Sequence, residues 1–169
     1  MEAPRRRRPS VSKAHVVTVS DGAFHGKRED ASGQALLSLL SQGGFEVDSP
    51  EVVPDEAERI REAVMTAVER GVDLVVATGG TGLGPRDVTP QAISTIIDYE
   101  VPGIGEAMRR AGANSTPMAA LSRSMAGVRK RTLIISVPGS PKGAIESLEA
   151  VMPVIGHAIQ LLHGDTAHT

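Results

Sequence analysis

Residues 78–93 read TGGTGLGPRDVTPQAI and follow directly on an apolar run, VDLVVA. Glycines at 79, 80, 82 and 84 let the backbone approach a ligand closely and turn its amides inward. Threonines at 78, 81 and 89 add hydroxyl donors. Such a loop suits a phosphate or another oxyanion; the alternative is a turn that only closes a strand–helix connection. Neither of the best-known phosphate motifs is present. No Gly-Lys-Ser/Thr follows, and Pro85 stands where G-x-G-x-x-G, begun at Gly80, needs its last glycine.

Carboxylates come next. Asp87, just after Arg86, is placed to coordinate a phosphate-bound Mg²⁺ or to cap the loop as it enters a helix. Asp55 has a different local context: Asp55-x-x-Glu58 matches a capping box, and spacing alone favours that role. Asp21 and Asp30 border the loop after the first apolar segment and fit a structural or a ligating role equally. The histidines at 15, 25, 157, 163 and 168 show no metal-binding spacing. Ser20, Ser122 and Ser140 lack a base partner or nucleophile elbow, which argues against acyl transfer.

These loops need a scaffold. HVVTVS (15–20), VDLVVA (72–77) and RTLIISV (131–137) are short β-branched runs without polar alternation, as expected of parallel strands covered on both faces. FEVDSPEVV (45–53) reads as a further strand interrupted by Pro50. Helical patterns lie between them. SGQALLSLLSQ ends at Gly43-Gly44, a C-cap signal. From Asp55 to Arg70, apolar residues fall at Ala57, Ile60, Val64, Ala67 and Val68. Thr89-Pro90 and Ser140-Pro141 each pair a capping hydroxyl with a proline at the first helical position. After the second, Ile145 to Leu162 keep helical spacing, with a kink or break expected at Pro153. Residues 98–127 read as short helices or an excursion.

Alternating strands and helices predict a single-domain α/β fold with a mostly parallel central sheet. Each of the three strand segments runs into a small polar loop: Ser20-Asp21, Thr78-Gly79-Gly80-Thr81-Gly82, and Pro138-Gly139-Ser140. Ligands of open α/β sheets bind at the carboxyl ends of the strands, so the three loops together define one pocket.

Composition narrows the function. With 169 residues, 40% hydrophobic and 22% charged, the chain is one globular domain. Aromatics are 2% and tryptophan is absent, which argues against base stacking as a recognition mode. The absence of cysteine removes disulfides, thiolate nucleophiles and Cys-ligated zinc. A formal net charge of −2 excludes a surface built wholly for nucleic acid or anionic membranes. PRRRRPS at 4–10 reads as part of a disordered Arg-rich tail, residues 1–13, before a domain at 14–169. No apolar segment after the arginines suggests a secretory signal, and the apolar runs read as too short to span a bilayer. A cytoplasmic protein is expected, without nucleic-acid or membrane partners.

The whole series of motifs now carries a resemblance. VSDGAFHGKREDASGQAL, VVPDE, TGGTGLGPRDVTPQAI, PGIGEAMR and LSRSMAGVRKRTLIISVPGSP, in this order, resemble the molybdopterin-binding family of MogA/MoaB-type molybdopterin adenylyltransferases and the gephyrin G domain. The likeness covers roughly residues 14–163. It implies a three-layer α/β fold and a homotrimer, or a dimer of trimers, that binds molybdopterin and ATP and, with Mg²⁺, adenylylates the terminal phosphate of the pterin, releasing pyrophosphate. Its product would pass to a molybdenum-insertion protein. The resemblance makes Asp55 and Asp87 the acidic catalytic positions and possible Mg²⁺ ligands, which reverses the capping assignment that spacing gives Asp55. It makes Thr78, Gly79, Gly80, Thr81 and Gly82 the phosphate cradle. Ser20, Asp21, Arg86, Glu106, Ser122, Arg123, Pro138, Gly139 and Ser140 become pocket candidates. A non-catalytic molybdopterin carrier and a CinA-like nucleotide hydrolase share the fold and are the alternatives.

Overall fold

In the computed structural model, which describes residues 10–165, the apolar runs pair into one mixed sheet. Its strands are β1 (Lys13–Val19), β2 (Glu46–Val47), β3 (Glu51–Val53), β4 (Leu74–Thr78), β5 (Tyr99–Glu100), β6 (Ala126–Arg129) and β7 (Thr132–Val137). The order is β2-β1-β4-β7-β6-β5, with β3 also pairing β1. β1, β2, β3, β4 and β7 are mutually parallel, while β5 and β6 form an antiparallel margin. The arginine run at 5–8 lies outside the described residues. β1 starts at Lys13, the last residue assigned to the tail.

Successive side chains of a strand point to opposite faces, and here both faces are covered. Val16, Leu74, Val76, Leu133 and Ile135 pack on one side against α2 (Ala31–Gln42), α5 (Pro102–Ala113) and α6 (Pro141–Leu162). Val17, Val75, Ala77 and Ile134 pack on the other against α3 (Ala57–Glu69) and α4 (Thr89–Ser94). The result is the three-layer arrangement. Full burial of a Leu or Ile side chain stabilises by about 1.5–3 kcal/mol, so the double covering explains why these strands carry no polar alternation.

Several local expectations need correction. The segment 45–53 is two strands, because Pro50 has no amide to donate and the chain leaves the ladder between Val47 and Glu51. Asp55 is not a helix cap: α3 begins at Ala57 behind Glu56, which makes no side-chain capping bond, and Glu58 pairs with Arg61 at 2.7 Å. Thr89 does not cap α4 either; its hydroxyl donates to the Gly79 carbonyl at 2.8 Å, and Val88 holds the cap position. Ser140 does cap α6, its Oγ accepting from Gly143 N at 3.2 Å.

α6 runs unbroken through Pro153. By length and composition this helix could cross a membrane, contrary to the sequence expectation. In this fold its Ala144, Leu148, Val151, Ile155 and Ile159 form part of the core. Residues 98–127 contain β5, α5, a 3₁₀ turn at Pro117–Leu121 and the start of β6.

Register fixes where the loops emerge. Thr18 stands beside Thr78, Thr78 beside Val137, and Val19 beside Val53. The loops after β1, β3, β4 and β7 therefore leave the sheet at one level and on one edge.

Candidate active site

At that edge the loops stack closely. Gly79, with φ +101°, fits between its neighbours because it has no side chain: a Cβ there would collide with the Val19 carbonyl. A Cβ on Gly139 would lie 3.2 Å from Gly79 Cα. Hydrogen bonds from Gly79 N to Val137 O (3.1 Å) and from Thr78 Oγ1 to Pro138 O (2.8 Å) join the β4 and β7 loops. Gly80 also has a positive φ, +65°, and a Cβ there would strike Thr89 Oγ1. Among the described residues, the bonds that close this loop do not use the amides of Gly80, Thr81 or Gly82 as donors. Those amides remain for a ligand.

Two cavities open beside the stacked loops. A polar one of about 590 Å³ lies between the β1, β3 and β4 loops and the start of α2, and contains Ser20, Asp21, Asp55, Thr78, Gly79 and Gly80. A mainly apolar one of about 460 Å³ lies toward α5 and the 3₁₀ turn, and contains Thr81, Gly82, Ser122 and Pro138. Gly139 and Ser140 line both. The N-terminus of the 22-residue α6 thus stands at the junction, where its dipole favours an anion.

The polar cavity has an acidic wall with defined bonding. Asp21 N donates to Asp55 Oδ2 at 2.8 Å, and Asp55 N donates to Asp21 Oδ1 at 3.0 Å. This reciprocal pair ties the β1 and β3 loops together and explains why Asp55 is unavailable as a cap. Arg86 forks onto Asp21, with Nε and Nη2 at 2.9 and 3.0 Å. That hydrogen bond, with the Asp55 amide, holds the Asp21 carboxyl below the usual aspartate range. Asp55 moves the other way. Burial raises its pKa first, the Asp21 amide opposes, and the negative charges of Asp21 and Asp87 raise it further. Two neighbouring carboxylates with opposite shifts are a recurrent mark of functional sites.

Other expected residues take supporting places. Asp87 lines neither cavity; its Oδ2 accepts from Gly84 N at 2.8 Å and closes the Gly-rich loop. Arg123 also lies outside both. Its Nε donates to Gly82 O at 2.9 Å, Nη2 to Asp87 O at 2.7 Å, and its amide to Thr81 O at 2.9 Å, so it pins the loop from below. Ser122 Oγ pairs with Ser124 Oγ at 2.9 Å. Ser20 caps the short helix α1 (Asp21–Phe24), accepting from Ala23 N at 3.1 Å. Glu106 is exposed on α5 and lines neither cavity. Asp30 lines the polar cavity and accepts from Gly33 N as the cap of α2 and from Thr18 Oγ1, both at 2.9 Å.

The apolar cavity was not legible in advance. Met108 and Arg109 of α5, Met118 and Leu121 of the 3₁₀ turn, and Glu146 and Ser147 of α6 build its wall with Leu83. Leu83, Met118 and Leu121 are 67%, 62% and 51% exposed, an apolar rim beside a loop suited to anions. The apolar pair Ile104 and Met108 on α5, four residues apart, was the available signal for this element.

Fold and site together define a three-layer α/β protein in which a helix N-terminus, of a polarity suited to an anion, stands between a polar, acidic cavity and an apolar one. Comparison with known proteins identifies the family. Residues 15–157 match the model described as "Probable molybdopterin binding domain", and the chain belongs to that family. It is 41% identical over 154 residues to the molybdopterin adenylyltransferase of Helicobacter pylori J99, covering 89% of this chain and 87% of that protein. It is 38% identical over 151 residues to a molybdenum cofactor biosynthesis bifunctional protein of Synechococcus elongatus; there it matches 89% of this chain but spans only 47% of the relative. The crystal structure of the molybdopterin biosynthesis enzyme MoaB from Thermus thermophilus superimposes with a TM-score of 0.85, 51% identity, and coverage of 90% and 97% of the two chains.

Proposed function

We propose that this protein acts in molybdenum cofactor biosynthesis as a molybdopterin adenylyltransferase, transferring the adenylyl group of ATP to the terminal phosphate of molybdopterin and releasing pyrophosphate. The observation that carries this is the junction: two cavities of different polarity share Gly139 and Ser140 at the N-terminus of α6. Two substrates that must be joined through phosphate need such a meeting point, and adjacent binding turns a bimolecular encounter into a local one. The relatives named adenylyltransferase support the same chemistry.

The residues divide the work. Amides of the Gly-rich loop and the dipole of the α6 terminus orient the reacting phosphates and stabilise charge that develops between them. Asp55 faces Gly80 across the polar cavity; its Oδ1 would lie 3.5 Å from a Cβ there. Asp87 and Arg123 keep the loop in shape. Among the described residues no group of three His, Cys, Asp or Glu side chains could hold a metal. The paired carboxylates of Asp21 and Asp55 instead fit a Mg²⁺ that arrives with phosphates and keeps most of its ligands from them and from water. That ion would neutralise charge on the transferring phosphate. Asp55 would hold it, with Asp21 beside it and Asp87 acting through the loop.

We further propose a homotrimer, or a dimer of trimers, in the cytoplasm, with the adenylylated pterin handed to a molybdenum-insertion partner. Exposed Val154 and Leu161 on α6 supply apolar surface for assembly, and the bifunctional relatives suggest the handover. Incubation with molybdopterin, ATP and Mg²⁺ tests the reaction. Adenylylated pterin with stoichiometric pyrophosphate is expected. Binding of the pterin without turnover would indicate a carrier, and hydrolysis of nucleotide alone a hydrolase.

A further inference from the structure

The Gly-rich loop sends one charged side chain back over the acidic wall. Arg86 and Asp21 are 65 residues apart in sequence, and the guanidinium meets both carboxylate oxygens. The two ends of this pair differ in freedom. Asp21 is fixed, because its amide donates to Asp55 Oδ2 and its Oδ1 accepts from Asp55 N. Arg86 has no comparable anchor: its side chain is 60% exposed against 38% for Asp21, and Asp21 is the acceptor of both its bonds. An ion pair this open holds its arginine weakly, since water and salt compete for both partners. The same planar fork fits phosphate as well as carboxylate.

We propose that Arg86 is an exchange residue: in the empty protein it rests on Asp21, and an arriving nucleotide polyphosphate draws it from the carboxylate onto phosphate. This rests on the nucleotide-binding function proposed above. Asp21 then has a role that its position alone does not suggest. It holds the arginine at the acidic wall, just outside the cavity lining itself, and sets a threshold that a weakly charged ligand does not pass. Asp55 and the Asp21 amide keep Asp21 in place while the arginine leaves.

A double-mutant comparison tests this, with ATP titrated by calorimetry in EDTA and again with Mg²⁺, using wild type, Asp21→Asn, Arg86→Ala and the double variant. The amide side chain introduced by Asp21→Asn would keep an oxygen for Asp55 N, and both members of the pair are on the surface, so melting curves should stay close to wild type. In EDTA, where no Mg²⁺ engages the acidic pair, Asp21→Asn is expected to bind ATP about two- to fivefold more tightly, the range corresponding to release from an exposed pair. Arg86→Ala is expected to bind about tenfold more weakly, as for loss of a charged hydrogen-bonding group. In the Arg86→Ala background, Asp21→Asn should gain little. An equal gain in both backgrounds would mean that Asp21 acts only through its field, and would overturn the exchange. So would Arg86→Ala binding ATP as wild type does, which would make the pair a loop clasp. Wild type that binds ATP in neither condition would instead remove the nucleotide-binding function on which the proposal stands.

Discussion

Asp55→Asn separates structure from chemistry at the residue where local spacing and family resemblance disagree. The side chain keeps its shape and loses its charge. Three effects bear on stability. The bond from Asp21 N to Oδ2, 2.8 Å long, becomes neutral rather than charge-assisted, a loss of about 1 kcal/mol. Against this, the half-buried carboxylate no longer has to be held ionised away from water, and its repulsion with Asp21 and Asp87 disappears. Burial leads the causes that raise the Asp55 pKa, so the opposing effects together outweigh the favourable bond. The substitution should therefore leave stability within about 1 kcal/mol of wild type, or improve it, equivalent to a melting shift of no more than about 4 °C for a chain of this size. Catalysis should respond very differently, because loss of one transition-state electrostatic contact costs about 10²–10³-fold in kcat.

The pH dependence follows from the same shift. A carboxyl group whose folded pKa is raised binds protons more readily in the native state than in the unfolded chain. Its contribution to stability falls as pH rises from the ordinary aspartate range through the raised folded value, and is flat above it. Asp55→Asn should lack that decline, so its advantage over wild type grows across this window. Asp21 has the opposite sign: its lowered folded pKa gives stability that is present above the ordinary range and lost as pH falls through the folded value. Single-turnover assays beside melting curves at several pH values decide the matter. A folded Asn variant with normal adenylylation would refute the catalytic role. A variant whose lost activity merely follows a loss of more than about 2 kcal/mol in stability would refute the account of its environment.

Other substitutions probe the support of the site. Arg123→Lys should lower kcat about tenfold or more with Asp55 untouched, since one ammonium cannot reach both loop carbonyls and a misplacement of about 1 Å can cost up to about 10²-fold; rapid-quench turnover measures it. Gly80→Val should destabilise the fold by about 1–3 kcal/mol as well as impair binding, because the residue has φ +65° and a Cβ would meet Thr89 Oγ1; chemical denaturation reports the cost. Ser140→Ala should lose about 1 kcal/mol from the α6 cap and weaken ATP binding, read from melting with and without ligand. Light scattering should give a trimer or a multiple of three at micromolar concentration, and a stable monomer would contradict the proposed assembly.

The parts legible in the sequence were those whose determinants are local. β1, β4 and β7 lie between two helical layers, so unbroken apolar runs announced them. Ser140-Pro141 named a real helix start, because both the hydroxyl and the missing amide act within one turn. The two capping errors share one physical origin. Asp55-x-x-Glu58 has capping-box spacing, but the Asp55 carboxyl is taken by an amide 34 residues away. Thr89 looks like a cap, but its hydroxyl is claimed by Gly79 across the loop. In both cases a tertiary partner outcompetes the local one. The apolar cavity is invisible in the sequence for a similar reason: its wall comes from α5, a 3₁₀ turn and α6, and none of these segments has a chemical signature alone. β6 was obscured by its short length and by the charged Arg129-Lys130-Arg131 run at its turn.

The strand register explains why the chemistry gathers where it does. Thr18, Thr78 and Val137 are neighbours across β1, β4 and β7, so the backbone segments that follow them come within contact distance. Side chains would hold such segments apart; glycines at 79 and 139 permit the approach. A slip of one residue in β4 would put Thr78 or Gly80 at that contact and would turn Thr78 away from the Pro138 carbonyl, since adjacent strand positions face opposite sides. The junction between the cavities is therefore a property of the sheet as much as of the loop. It also assigns different tolerances to its parts: Asp55 is expected to change with little structural cost, whereas Gly79 is fixed by φ +101° and by the Val19 carbonyl. A Gly79→Ala variant should thus lose stability and both ligand affinities together, while Asp55→Asn loses turnover alone. Thermal melting paired with separate pterin and ATP titrations distinguishes the two patterns, and a Gly79→Ala protein that kept wild-type stability would show that the loops are not stacked as described.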